Sequence, residues 1–383
     1  MNSKTLLVGS AGFFFPIYLS LLLFTCSLAQ SQYLDVGQNA IDVPVDPQSA
    51  AMGESFVAMR NNPAALFYNP ATISGFKGLQ FTYSHRNFDI LPNNDLTYHS
   101  YLLSLSLPTG SIGIFYNDFT NDNDLIVTSP AYPEGTGEYT SYKNYVYGAA
   151  YGKDVSANFD IGITLKAYNY SLGPHSGHAA YLADIGTIYH TSGPISRAGF
   201  ITDEFNAGIS IQNFGTDHRY DTTFQEAGSL IKLPRYLRIG YAYRMTIVNE
   251  DKEKLTPIGF LFTGEYRNLL NAEDYQSSER DYWGFGTQAT LYEILSLRLG
   301  SYISGTPSYY GQKGVPSIRY GFGVHLPLNK IGLQSPIAII MDYGVIPGQF
   351  TSNSFFTTNL NPTLRVFSFG IWYESSFFPE ARQ

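Results

Sequence analysis

Hydrophobic and polar positions alternate with a period of two along most of this chain. Leu79, Phe81, Tyr83 and His85 face one way, while Gln80, Thr82, Ser84 and Arg86 face the other. The same pattern sets Ile161, Ile163, Leu165 and Ala167 against Asp160, Gly162, Thr164 and Lys166, and Leu237, Ile239, Tyr241 and Tyr243 against Arg238, Gly240, Ala242 and Arg244. It returns at Trp283–Leu291, at Ile318–His325 and at Phe367–Tyr373. Successive side chains of a strand point to opposite faces, so each run predicts a strand with one apolar face. Runs of about ten residues suit strands that cross a bilayer at a tilt.

About fourteen such runs are visible, an even number, as single-chain bacterial barrels require. They start near Leu79, Tyr98, Ser111, Lys143, Asn158, His178, Glu204, Arg235, Thr256, Tyr282, Ile294, Pro316, Ser335 and Leu364. Odd-numbered connections are long and even-numbered ones short, the pattern of external loops and periplasmic turns. Pro108-Thr109-Gly110, Lys153 to Ala157 and Tyr292-Glu293 are the tightest turns, whereas Thr191 to Asp203 is longer than the rule. A soluble β-sandwich also alternates, but it solvates its second face with Lys, Glu and Thr. Here that face is Gly, Ser and Thr with isolated Arg or Asp, which suits a lumen. Tyr and Phe near strand ends suit the girdles at the membrane interfaces. The pattern predicts an all-β protein, a fourteen-stranded antiparallel transmembrane barrel over residues 78–383.

The first part of the chain reads differently. Lys4, the apolar stretch Leu6–Leu28 and Ser27-Leu28-Ala29 have the layout of a cleaved export signal over residues 1–29; an uncleaved anchor is the alternative. Cys26 is the single cysteine, so cleavage after Ala29 would leave no thiol, disulfide or cysteine-bound metal. Residues 30–77 break the alternation. Ser49-Ala50-Ala51-Met52-Gly53 reads as a short helix or turn, and Pro63 and Pro70 in Asn62-Pro63-Ala64…Asn69-Pro70-Ala71 forbid a central strand. A segment so compact and apolar is expected to plug the lumen or its mouth, the alternative being an ordinary N-terminal extension. The predicted hatch residues are Met52, Gly53, Asn62, Pro63, Asn69, Pro70 and Ala71.

Composition narrows the function classes. Charged residues make up 14% of the chain, well under the share usual in soluble domains, and with the abundant Gly, Tyr and Phe this points to β-structure. A net charge of -8 without a basic stripe argues against nucleic acid.

Ser49-Ala50-Ala51-Met52-Gly53-Glu54-Ser55-Phe56-Val57-Ala58 followed by Asn62-Pro63-Ala64-Ala65-Leu66-Phe67-Tyr68-Asn69-Pro70-Ala71 resembles the start of the PorV/PorQ family, outer-membrane barrels related to the FadL long-chain fatty-acid transporters. Ala183-Asp184-Ile185-Gly186-Thr187-Ile188-Tyr189, Gly208–Gly215 and Leu233-Pro234-Arg235-Tyr236-Leu237-Arg238-Ile239-Gly240 also resemble that family, in its order. Glu54 departs from it, standing where a small residue is usual. So does the C-terminus, where the assembly signal is displaced inward to Phe367–Tyr373. The resemblance implies a fourteen-stranded barrel with an N-terminal hatch, a Gram-negative outer membrane and a type IX secretion system.

Catalytic motifs are absent: no G-x-S-x-G, H-E-x-x-H, P-loop or G-x-G-x-x-G before a helix occurs. His175 and His178, and Asn121-Asp122-Asn123-Asp124, read as loop residues rather than metal ligands, so no cofactor or metal is expected. The lumen face carries more chemistry. Arg86, Lys166, Arg238, Arg244, Arg298, Arg319 and Arg365 are assigned to it, with Asp160, Asp184, Glu265 and Asp342. Two roles fit them: a network locking hatch to wall, with Asp42, Asp46 or Glu54 as hatch partners, or a basic ring for the carboxylate of an amphipathic substrate.

The expected function is non-enzymatic, and two versions follow. Either the barrel is an adaptor that anchors secreted cargo or secretion-system proteins through the loops Thr120–Tyr142, Thr216–Pro234 and Val345–Pro362 (with Tyr132, Tyr139, Phe350, Phe355 and Phe356), or it passes a hydrophobic ligand in the FadL manner. In the second case Asn69-Pro70-Ala71 would be the mobile plug tip.

Overall fold

The computed structural model describes residues 39–91, 94–121, 125–126, 131–132, 139–172, 175–194, 201–220, 229–247, 255–272, 281–304, 316–347 and 363–374. The signal segment, Asp122–Asp124, Phe350, Phe355, Phe356 and the side chain of His175 lie outside them.

Fourteen strands form the wall. They are β1 (Leu79–Leu91), β2 (Asn94–Leu107), β3 (Gly110–Asn121), β4 (Tyr142–Ser156), β5 (Phe159–Leu172), β6 (Ala180–Pro194) and β7 (Ile201–Gly215), then β8 (Tyr236–Ile247), β9 (Ile258–Leu269), β10 (Asp281–Leu291), β11 (Leu295–Ser304), β12 (Pro316–Pro327), β13 (Ile337–Ile346) and β14 (Leu364–Tyr373). Each pairs antiparallel with its neighbours, and β14 returns to β1 from Leu79↔Tyr373 to Asn87↔Arg365, which closes the barrel. Closure satisfies every ladder and leaves no edge, the condition for β-structure in lipid.

Exterior side chains suit that environment. Leu165 (63% exposed), Phe214 (61%) and Ile185 (58%) stand outward with Ile114, Trp283, Leu297 and Phe322 around the wall. An apolar girdle of this extent is a liability in water and a seat in a bilayer.

Strand boundaries differ from the sequence reading mainly by extension. β2 begins at Asn94 rather than Tyr98, and β6 runs on to Pro194, so the long connection expected at Thr191–Asp203 shrinks to residues 195–200. The first connection, between Leu91 and Asn94, is short although its neighbours on that end are long.

Residues 39–77 lie inside the barrel and form the plug. It contains α1 (Asn39–Asp42), α2 (Pro47–Ala51) and two 3-10 turns, Pro63–Phe67 and Pro70–Ile73. Both turns start with the same device: Asn62 and Asn69 each accept a hydrogen bond on Oδ1 from the backbone N–H two residues on, 3.0 Å in each case, with proline next in the chain. Proline supplies the fixed φ and lacks only an N–H that would have no helical partner there. Asp46 caps α2 in the same way, accepting from Ser49 N at 3.0 Å.

The plug chain runs around the inner wall, and glycines make room for it. A Cβ at Gly344, Gly300, Gly284, Gly208 or Gly162 would run into the backbone at Pro47, Ala51, Gly53, Val57 or Pro70, and one at Gly186 into Asn69 Oδ1. The inner face expected to meet water therefore meets plug backbone over much of its girth. Tyrosines also serve the interior: Tyr98, Tyr168, Tyr282 and Tyr302 are inward and fully buried, so aromatics are not confined to interface girdles.

Candidate functional site

The interface between plug and wall concentrates the unusual chemistry, and its two sides differ. Over β8–β12 the contact is ionic. Glu54, at a left-handed φ of 59°, accepts from Arg319 Nη1 at 2.7 Å, and both are buried. Asp42 accepts from Arg267 Nη1 at 2.6 Å and from Tyr236 OH at 2.8 Å. Glu265 on β9 works in the opposite sense. Its Oε2 receives the backbone N–H groups of Phe56 and Val57, both at 2.8 Å, while Oε1 holds Arg238 Nη1 at 2.5 Å. Arg238 also donates to Gln212 and Tyr282, both at 2.6 Å, and lies 4.9 Å over the Tyr68 ring. Arg267 stacks 4.3 Å from both Tyr236 and Tyr282, and Arg319 4.4 Å from Tyr302. Guanidinium planes on aromatic faces keep the charges desolvated yet compensated.

A β-bulge adds one further contact. The β6–β7 register passes from Ile211↔Ile185 to Phe214↔Ala183, and Asn213 takes a left-handed φ of 59°. Gln212 and Asn213 therefore both point inward, between outward Ile211 and Phe214. Gln212 Nε2 reaches the plug at Phe67 O, 2.6 Å away. Asn213 joins Asp184 and Lys166: its N–H donates to Asp184 Oδ1 at 2.7 Å, and Lys166 Nζ lies 2.8 Å from the same oxygen.

From Arg60 to Ser74 the plug makes a loop whose neck is clipped to one carboxylate. Arg60 Nε and Ser74 Oγ each donate to Asp160 Oδ2 at 2.6 Å, and Asn61 N to Thr72 O at 2.9 Å. Beyond the neck the contact with β2–β4 is apolar. Leu66, Phe67 and Ile73 pack with Leu102, Phe115, Phe119, Val146 and Ala150; Phe67 meets Phe115 edge-on at 4.7 Å. A 30 Å³ cavity remains where this seam meets the ionic side, lined by Ile41, Phe67, Phe115 and Val146 together with Asp42, Glu54, Lys166 and Arg238.

The assigned residues fall as follows. Met52 and Gly53 lie against β10 and β11; Asn62, Pro63, Asn69, Pro70 and Ala71 form the capped turns. Asn69-Pro70-Ala71 is not a free tip: Asn69 Nδ2 donates to Val57 O at 2.8 Å and to Thr187 O on β6 at 3.0 Å. Arg86 donates to Pro44 O at 2.8 Å. Arg298 binds Asp342 and Gln288 on the wall. Arg244 stands 4.0 Å from Glu204 on β7, with no ionic tie to the plug. Arg365 requires correction: it shares parity with Phe367, points outward and is exposed. Asp46 caps α2 rather than binding an arginine. Arg267, Gln212 and Asn213 were missed; Arg267 has the parity of Glu265, the available signal, whereas the bulge leaves none in the alternation. His178 N donates to Arg219 O at 3.0 Å, and no cluster of metal-ligating side chains occurs among the described residues.

No protein-family model and no curated protein matches the sequence. Among solved structures, the chain is similar to the Pseudomonas putida toluene transporter TodX, with 11% identity over 89% of this chain and 98% of that one and a TM-score of 0.45. It is also similar to the CymD monoaromatic hydrocarbon channel (13% identity, 90% and 100% covered, TM-score 0.41). A Pseudomonas aeruginosa FadL homologue gives 10% identity, 86% and 98% coverage and a TM-score of 0.44. Similarity of this degree assigns no family, substrate or partner.

Proposed function

We propose that the protein lets a small hydrophobic molecule cross the outer membrane of a Gram-negative cell by slipping between the apolar side of the plug and β2–β4. The observation that carries this is the two-sided seating of the plug. Unseating the ionic side would break the Glu54–Arg319 pair, buried on both sides, at about 3–5 kcal/mol, and would separate the partly exposed Asp42 from Arg267. On the β2–β4 side a hydrophobic guest replaces apolar contacts with apolar contacts and leaves the ion pairs joined. Asp160 holds the neck of the Arg60–Ser74 loop while Leu66 and Phe67 give way.

The test is uptake of an apolar fluorescent dye by cells producing the protein or its Phe67→Ala variant. Faster entry with Phe67→Ala, and no change for a water-soluble dye, supports the reading. Equal uptake with and without the protein would refute it.

A second reading, an adaptor for type IX secretion cargo, draws on a different observation: the wall is fully paired and the cavity beside Phe67 is only 30 Å³. Stoichiometric secreted proteins after gentle detergent purification, with no bound lipid or aromatic ligand, would favour it over permeation.

A further inference from the structure

Beneath the plug, at the tight-turn end of the barrel, lies a cavity of 450 Å³ that the permeation path does not use. It falls within the size range of small-molecule sites. A second cavity of 340 Å³ adjoins it, and the two share Arg244 and Thr246.

The lining is rich in amides and hydroxyls. The roof is a hydrogen-bonded chain from plug to wall: Asn62 Nδ2 donates to Gln48 Oε1 at 2.9 Å, Gln48 Nε2 to Gln288 Oε1 at 2.9 Å, and Arg298 Nε to that same oxygen at 2.7 Å. On the opposite wall Gln80 Nε2 donates to Thr82 Oγ1 at 3.0 Å. The amide and hydroxyl groups of this lining keep further donor and acceptor capacity toward the cavity.

Charge within the cavity is uneven. Asp342 is paired with Arg298 and Glu293 with Lys330, while Asp46 accepts a hydrogen bond from Ser49 N without a paired cation among the described residues. Arg244 differs from the arginines that hold the plug. Its side chain is 43% exposed, and Glu204, its carboxylate partner, stands 4.0 Å away, beyond hydrogen-bond range. Glu204 already accepts from Asn206 Nδ2 at 3.0 Å. Arg244 lines both cavities, with Asp203 and Glu204 beside it in the second, and a guanidinium can hold a carboxylate through two N–H groups at once.

We infer that this vestibule binds a small hydroxyl-rich organic acid, its carboxylate on Arg244 and its hydroxyls on the amides and threonines of the lining. The inference is independent of the permeation reading, because the ligand, the cavity and the arginine that carries it differ.

The chain supplies its own reporter. It has two tryptophans; Trp372 lines the cavity and Trp283 faces outward. In a Trp283→Phe background, emission therefore comes from Trp372 alone. The purified barrel is titrated with gluconate, and with glucose and acetate as controls that carry only the hydroxyls or only the carboxylate. Gluconate is expected to change the emission saturably, at a midpoint at least tenfold below either control. Arg244→Gln should raise that midpoint at least tenfold, while Arg365→Gln, on the outer surface, leaves it unchanged. Heat-modifiable migration on gels verifies that each variant is folded. No saturable response, a response unaltered by Arg244→Gln, or acetate or glucose matching gluconate would each overturn the inference.

Discussion

Replacing Glu54 by Gln removes one charge from the plug and leaves Arg319 buried against an uncharged partner. Both side chains are shielded from water and joined at 2.7 Å, with the Tyr302 ring on the arginine's other flank. Breaking a buried pair on one side costs about 3–5 kcal/mol, because the remaining charge keeps its desolvation penalty. If that cost falls on seating of the plug, the unseated population rises roughly a hundred- to several-thousandfold, at about 1.4 kcal/mol per factor of ten. Hydrogen exchange of the Phe56 and Val57 amides, which bond Glu265, reads this population. Both amides should exchange faster by that factor in Glu54→Gln, with the barrel still folded by heat-modifiable migration. The double variant Glu54→Gln/Arg319→Met should recover most of the protection, since it leaves no stranded charge. Unchanged exchange in the single variant, or a double variant as unprotected as the single, would refute the ionic lock.

Other outcomes follow from the same geometry. Arg238→Gln should expose the chain near Asn61 to protease, because it frees Glu265 and uncovers Tyr68, whereas Arg244→Gln should leave digestion unchanged. Leu165→Arg puts a charge on the lipid face and should cost about 2–4 kcal/mol if that position is near the bilayer midplane; folding yield into vesicles measures it, and full tolerance would contradict the membrane seat. Glu293, in the turn before β11, is pushed up by burial but pulled down further by hydrogen bonds from Lys330 and Thr256, so its pKa lies below the ordinary 4.5. A lowered carboxylate pKa stabilises the fold above the unfolded value, and the contribution is lost as pH falls through the folded one. The melting difference between wild type and Glu293→Gln should therefore be full at neutral pH and vanish below the folded pKa.

Much of the barrel was legible because a wall with lipid outside and polar groups inside must alternate at every strand. Pro316 and Leu364 begin β12 and β14 as read, and most other starts lie within a few residues. Arg365 was misplaced because its charge was allowed to outweigh its parity with Phe367; at a strand end an outward arginine is tolerated at the lipid interface. Arg267 was passed over although its parity matches Glu265. The bulge at Gln212-Asn213 breaks the rule on which the reading rests, so alternation alone returns the wrong face there. Glu54 stands out in the sequence as a departure from a family pattern and as one of three candidate hatch partners, but its particular partner, Arg319, lies 265 residues away across the lumen. The inward glycines were visible, but not that they mark the path of the plug chain.

The central claim is that the plug yields on one side only. Hydrogen exchange of the barrel in lipid nanodiscs, with and without an apolar dye, tests it by comparing the amides of Ala65–Tyr68 with those of Phe56 and Val57. The account predicts that the dye speeds exchange at Ala65–Tyr68 while Phe56 and Val57 stay protected. Protection unchanged at both places, or lost at both together, would contradict it.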